Sequence, residues 1–180
     1  YQNAVIQLRK WIGSGELFQA NLSHRLEGPA PVDPRAFYAS LRPRQPTAMS
    51  SYWEAHDGAA LLSWSPESFL SVRGRNLCTK PIKGTAPRGA NAAQDAQFSC
   101  DLDASIKERA ELNMIVDMAR NDLGRVADPG KVRLATAGKV TPFPTLFHRI
   151  AEVRAELNPA RGLGALMRAT FPPASVTGAP

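Results

Sequence analysis

Between residues 105 and 123 the side chains Leu112, Ile115, Val116, Ala119 and Leu123 recur at i, i+3, i+4, i+7 and i+11, one face of an α-helix. Ser105-Ile106-Lys107-Glu108 forms a capping box at its start, and Gly124 is the stop. A helix with such a stripe is stable only where another element covers it, so the rest of the chain must supply a packing partner. Glu108 projects within this stripe and Glu111 lies at its edge. Carboxylates there have two readings. Glu108 closes the capping box and Glu111 pairs with Lys107, or one or both ligate a hard divalent cation such as Mg²⁺, which prefers carboxylate oxygen.

The remaining segments are shorter. Val5, Leu8, Trp11 and Ile12 predict a helix over 5–12, ended by Gly13-Ser14-Gly15. Period-two alternation over 17–26 predicts a strand with Gln19, Asn21, Ser23 and Arg25 on its polar face, broken by Gly28-Pro29-Ala30-Pro31. Asp33-Pro34 opens a short helix through Phe37, Tyr38 and Leu41. Apolar runs at 48–53, 59–64 and 68–72 read as an antiparallel meander, continued by a strand over 77–82 and then a loop to about residue 100. Short strands over 131–135 and 138–140 and a helix over 160–170 complete the chain. Hairpins rather than regular βαβ alternation give an α+β fold with a mainly antiparallel sheet. There is no repeat, low-complexity segment or inter-domain linker, so residues 1–180 read as part of a single domain.

Of the 180 residues, 43% are hydrophobic and 21% charged, which excludes a disordered tail. Twenty-two Lys and Arg against sixteen Asp and Glu leave a net charge of +6, spread along the chain, which favours anionic partners. No apolar stretch is long enough to span a membrane, and Tyr1 is followed by no secretory leader pattern. Cys78 and Cys100 form no CxxC and no cluster with His24, His56 or His148, so a reducing cytoplasmic setting is expected. The ends, Tyr1 and Ser175-Val176-Thr177-Gly178-Ala179-Pro180, read as cuts in a longer protein.

Three further residues suit chemistry. Lys83 stands where strand becomes loop, with Pro81 and Gly84 stiffening and baring the backbone; the cations Lys80 and Arg88, if close, would favour its neutral, nucleophilic form. Gly84 and Thr85 offer N–H groups and a hydroxyl to a carboxylate. Glu67, turned toward a sheet rim by Pro66, is a general acid or base if buried and a surface residue otherwise. His148, among apolar neighbours, reads as a satisfied core histidine when taken alone.

Phe18-Gln19-Ala20-Asn21-Leu22-Ser23, Ser65-Pro66-Glu67-Ser68-Phe69, Pro81-Ile82-Lys83-Gly84-Thr85, Lys107-Glu108-Arg109-Ala110-Glu111, Met114-Ile115-Val116-Asp117, Arg120-Asn121-Asp122-Leu123-Gly124 and Val176-Thr177-Gly178-Ala179-Pro180 follow one another in the order of the chorismate-utilising enzymes. Over its full length the chain resembles that family, most of all its aminodeoxychorismate-forming branch. The resemblance implies the antiparallel α+β fold of anthranilate synthase component I, incomplete at the C-terminus, with about two thirds of the domain present. It implies amination of chorismate at C4 in para-aminobenzoate and folate synthesis, with ammonia from a glutamine amidotransferase subunit or domain. Water-adding relatives carry a lysine where this chain has Gln19, and anthranilate synthases resemble Pro-Ile-Ala-Gly-Thr where it has Lys83.

By the same resemblance, Lys83 is the covalent nucleophile, Glu67 the general acid, and Glu111 a Mg²⁺ ligand supported by Glu108. Gln19, Gly84, Thr85, His148, Thr177 and Gly178 face the substrate. A second magnesium carboxylate would lie outside the chain, so the piece alone is expected to bind and turn over weakly, with an exposed sheet edge. Two other readings stand beside this one. Anthranilate synthesis uses the same pocket without the lysine, and a non-catalytic basic binding module is disfavoured because the cations do not cluster and no nucleic-acid motif is present.

Overall fold

Proline and glycine cut the chain into short elements, and antiparallel pairing assembles the strands. The computed structural model describes residues 1–30 and 33–179. In chain order these form α1 (Gln2–Gly13), β1 (Gln19–Ala20), α2 (Pro34–Leu41), β2 (Met49–Glu54), β3 (Ala60–Ser65), β4 (Ser68–Arg73), β5 (Asn76–Lys80) and β6 (Ile82–Pro87). There follow α3 (Ala92–Ala104), α4 (Ile106–Gly124), β7 (Arg133–Pro142), β8 (Leu146–Glu156), α5 (Leu163–Thr170), α6 (Ala174–Thr177) and β9 (Gly178–Ala179). They divide into two units, Tyr1–His24 with Phe69–Pro180, and Arg25–Ser68. Pro31 of the expected break and Pro180 of the last motif lie outside the described residues.

In the smaller unit, Asp33 caps α2 by accepting from the Arg35 and Ala36 amides at 2.9 and 3.1 Å. β2 and β3 form a hairpin from Met49↔Ser65 to Glu54↔Ala60, turned at Asp57-Gly58 with Gly58 at φ +82°. The Tyr38 ring lies 5.7 Å from Tyr52 and 5.2 Å from Trp64, an aromatic cluster between helix and hairpin.

The larger unit is built around β8. β7 pairs along one edge of it, from Arg133↔Arg154 to Pro142↔Phe147. β5 and β6 follow one another along the opposite edge, with Thr79↔Val153 and Ile82↔Ile150, and β4 lies beyond β5. α4 and α3 pack on this sheet, and α5 packs on α4. Leu112, Val116 and Leu123 of the expected stripe join Leu77, Val153 and Leu166 in the core. Each buried leucine contributes roughly 1.5–3 kcal/mol, which fixes the register of α4 on β8. The mixture of helix and antiparallel sheet is the expected α+β class. Among the described residues no helix is long and apolar enough to cross a membrane.

Several local expectations are corrected. Among the described residues the run over 17–26 is a strand only at Gln19–Ala20, where it pairs with Ala179 and Gly178 of β9. β3 and β4 belong to different sheets, so 48–72 is no single meander. The strand expected over 77–82 divides at Pro81, which lacks an N–H, though its carbonyl accepts from the Ala151 amide at 3.1 Å. The expected loop to residue 100 holds the rest of β6 and α3, capped by Asn91, whose side chain accepts from the Gln94 amide at 3.0 Å. The strands over 131–135 and 138–140 are one strand, β7, with irregular register beside Thr136 and Gly138. The helix expected from 160 begins at Leu163.

Candidate active site

Ile82 pairs with Ile150 and Thr85 with His148, so three steps along β6 face two along β8. The excess falls at Lys83-Gly84, a bulge in which Gly84 adopts φ +83°, where a side chain would be strained. Lys83 is therefore half-buried inside a strand, not at its junction with a loop. The bare Gly84 lets the start of α4 close onto β6: a Cβ there would stand 3.0 Å from Leu102 Cδ1 and 3.1 and 3.2 Å from Cβ and Oε2 of Glu108. One bulge thus gathers Lys83, Gly84, Thr85 and Glu108.

His148 completes this group. It is buried, its Nδ1 lies 3.0 Å from Thr85 Oγ1, and its ring meets Phe143 edge-on at 5.4 Å. Burial pushes the imidazole below the ordinary histidine pKa, opposed in part by a hydrogen bond with the Gly84 backbone. The unfolded chain then binds this proton more readily than the folded one, so stability rises with pH. The contribution is complete above the ordinary value near 6.5 and is lost as pH falls through the lower folded value. Denaturant unfolding at pH 7 and pH 5 should show a loss at the lower pH that His148→Gln reduces; an equal loss in both proteins would assign it to other groups.

Lys80 and Arg88, which would act on Lys83 if close, each hold a carboxylate. Lys80 Nζ lies 3.3 Å from Glu152. Arg88 grips Asp95 through Nε at 2.7 Å and Nη2 at 2.5 Å, donates to the Phe143 carbonyl at 2.7 Å, and stacks over Phe147.

On α4, the Ser105 hydroxyl accepts from the Glu108 amide at 3.3 Å, which is the N-cap of the expected box. Lys107 Nζ lies 3.9 Å from Glu108 Oε1 and 3.7 Å from Glu111 Oε1, so one ammonium attends both carboxylates. Gln19, Thr177 and Gly178 form a second group. Gln19 pairs with Ala179 and Ala20 with Gly178, and the Asn21 amide donates to the Thr177 carbonyl at 3.1 Å. α6, which carries Thr177, packs on α4. Glu67 belongs to the smaller unit, in the turn after β3, where its amide donates to Ser65 Oγ at 3.3 Å.

The family profile described as chorismate binding enzyme matches residues 1–180. The chain belongs to the chorismate-binding enzyme family. Among curated members of that family, the aminodeoxychorismate synthase component 1 of Salmonella typhimurium is 40% identical over 180 residues, all of this chain and 39% of its own length. The anthranilate synthase component 1 3 of Haloarcula marismortui is 38% identical over 180 residues, 36% of its own length. Anthranilate synthase component I from Streptococcus pneumoniae superposes with a TM-score of 0.85 at 31% identity, over 98% of this chain and 38% of that one. The chain thus spans 36% and 39% of the two curated relatives.

The paired carboxylates of α4 bear on the Mg²⁺ expected there. Mg²⁺ takes oxygen ligands, keeps several waters and binds through one or two carboxylates plus anionic ligand oxygens. Glu108 and Glu111, one turn apart and already sharing a cationic neighbour, fit that donor set. Among the described residues no group of three or more His, Cys, Asp or Glu gathers.

Proposed function

We propose that the protein containing this chain aminates chorismate at C4, giving 4-amino-4-deoxychorismate, with ammonia from a glutamine amidotransferase subunit or domain. The lysine carries the reading: Lys83 sits beside Gly84, which touches Glu108, and Thr85, which bonds His148. In this reading the neutral Lys83 Nζ attacks ring C2. The two ring double bonds each shift toward C4, and the C4–O bond breaks as Glu67 gives its proton to the departing hydroxyl, which leaves as water. Hydroxide is a poor leaving group, so this proton is essential. Ammonia then attacks C4, the double bonds return, the C2–N bond breaks to free Lys83, and the new C4 ammonium returns a proton to Glu67.

The other residues bind and exclude. Gly84 and Thr85 hold a substrate carboxylate, His148 packs near the ring, and Gln19 with Thr177 and Gly178 closes a further side without a base to activate water. Mg²⁺ held by Glu111 and Glu108 would offset substrate charge when bound.

Anthranilate formation is the second reading, favoured by the names of the Haloarcula and Streptococcus relatives. Product identification separates the two. The full-length protein with chorismate, ammonium and Mg²⁺ should give aminodeoxychorismate without pyruvate; anthranilate with pyruvate would overturn the assignment.

A further inference from the structure

Arg149, next to His148 on β8, is a buried cation that the proposed chemistry does not use. Its side chain is 3% exposed. Nη2 donates to the Leu102 carbonyl at 2.8 Å, the Asp103 carbonyl at 2.6 Å and Asp103 Oδ1 at 2.9 Å, and Nη1 donates to the Gly138 carbonyl at 3.1 Å. Nε has no partner among the described residues. Removing a guanidinium from water is costly, and apolar residues often serve a core as well, so packing alone does not account for it.

What the guanidinium holds is specific. Leu102 and Asp103 lie in the last turn of α3, where carbonyls lack helical partners and the helix dipole favours a cation. The next residue but one, Ser105, ends α3 and caps α4. Leu102 before this elbow and Glu108 after it both stand where a Cβ at Gly84 would go. Gly138 of β7, at φ +101°, makes the room: a Cβ there would stand 2.9 Å from Leu112 Cδ2 and 3.5 Å from Arg149 Cγ. One side chain therefore ties β7, β8 and the α3–α4 elbow together behind the Lys83 bulge.

We propose that Arg149 is a positioning residue that clamps the α3–α4 elbow and so holds Glu108 against Gly84, where it supports a divalent cation. This rests on the reading of Glu108 and Glu111 as cation-binding carboxylates. Calorimetric titration of the full-length protein with Mg²⁺ tests it without activity as the readout. Arg149→Met should weaken Mg²⁺ binding about 10-fold, the effect typical of residues that orient metal ligands. Arg149→Lys, which keeps the charge without the fork, should recover part of the loss. In a Glu108→Gln background Arg149→Met should add nothing, because the clamp acts through Glu108.

Wild-type Mg²⁺ affinity in Arg149→Met, or losses that multiply in the double variant, would overturn the clamp. Should Arg149→Met not fold, Arg149→Lys decides: weaker binding than in the wild type supports the clamp, and unchanged binding overturns it. If Glu108→Gln and Glu111→Gln both leave Mg²⁺ binding intact, the carboxylate reading fails and the clamp with it. Loss in Glu108→Gln with none in Arg149→Met overturns the clamp alone.

Discussion

Replacing Lys83 by alanine in the full-length protein is expected to lower aminodeoxychorismate formation by about 10³-fold or more, the scale on which enzymes lose rate when a covalent nucleophile is removed. The fold should survive. Lys83 is only half-buried and outside the hydrophobic core, and the bulge that holds it is shaped by the backbone of Gly84. Chorismate binding, followed by equilibrium titration, should change far less than turnover, because the groups proposed to face the substrate remain. The loss should therefore appear in kcat. Undiminished formation would remove the covalent role and leave the lysine as a binding cation, while a large loss confined to KM would say the same.

That expectation began with a motif, and the structure shows which parts of a motif a linear reading can reach. The stripe of α4 was legible because a helix covered on one face leaves a 3.6-residue period, and Leu112, Ile115, Val116 and Leu123 are all buried. Asp33 before Pro34 was legible because a cap is a local hydrogen bond. β8, the centre of the sheet, carries a period-two signal only in its second half, where Ala151, Val153 and Ala155 alternate with Glu152, Arg154 and Glu156; in its first half Phe147, His148 and Arg149 are buried in succession, and two of them are polar, so the start of the strand is unmarked.

The same limit applies to the site. Pro81, Lys83 and Gly84 read as strand giving way to loop, since proline and glycine usually break pairing. Here pairing resumes at Thr85 because β8 continues alongside, and the glycine becomes a bulge against which Glu108 rests. Lys107 pairing with Glu111 was expected from i,i+4 spacing and occurs, whereas Lys80 and Arg88 found carboxylates 72 and 7 residues away that only the fold could choose. Arg149 was missed for a related reason. An arginine in a strand ordinarily reaches water, and what draws this one inward is the end of a helix 46 residues earlier.

Gly178→Ala should have the second large effect, on structure first and on binding through it. A Cβ at this glycine would stand 2.3 Å from the Gln19 carbonyl oxygen and 2.8 Å from Ala20 Cα, at φ +116°. Both obstacles are backbone, so no rotamer change relieves them, and overlap and strained backbone each cost about 1–3 kcal/mol. Against them stand the bonds of the described residues: Gln19 pairs with Ala179 and Ala20 with Gly178, flanked by Phe18 N–H to Ala179 O and Asn21 N–H to Thr177 O, both at 3.1 Å, and each hydrogen bond contributes only about 1 kcal/mol net. The methyl group therefore wins and the strands part. Amide exchange at Phe18 and Asn21 should accelerate toward unprotected rates while β7 and β8, whose core excludes β1, keep their protection. With Gln19 released, KM for chorismate in the full-length protein should rise. Retained protection at both amides would mean that the pair tolerates a side chain, and a normal KM despite lost protection would place Gln19 and Gly178 outside the substrate site.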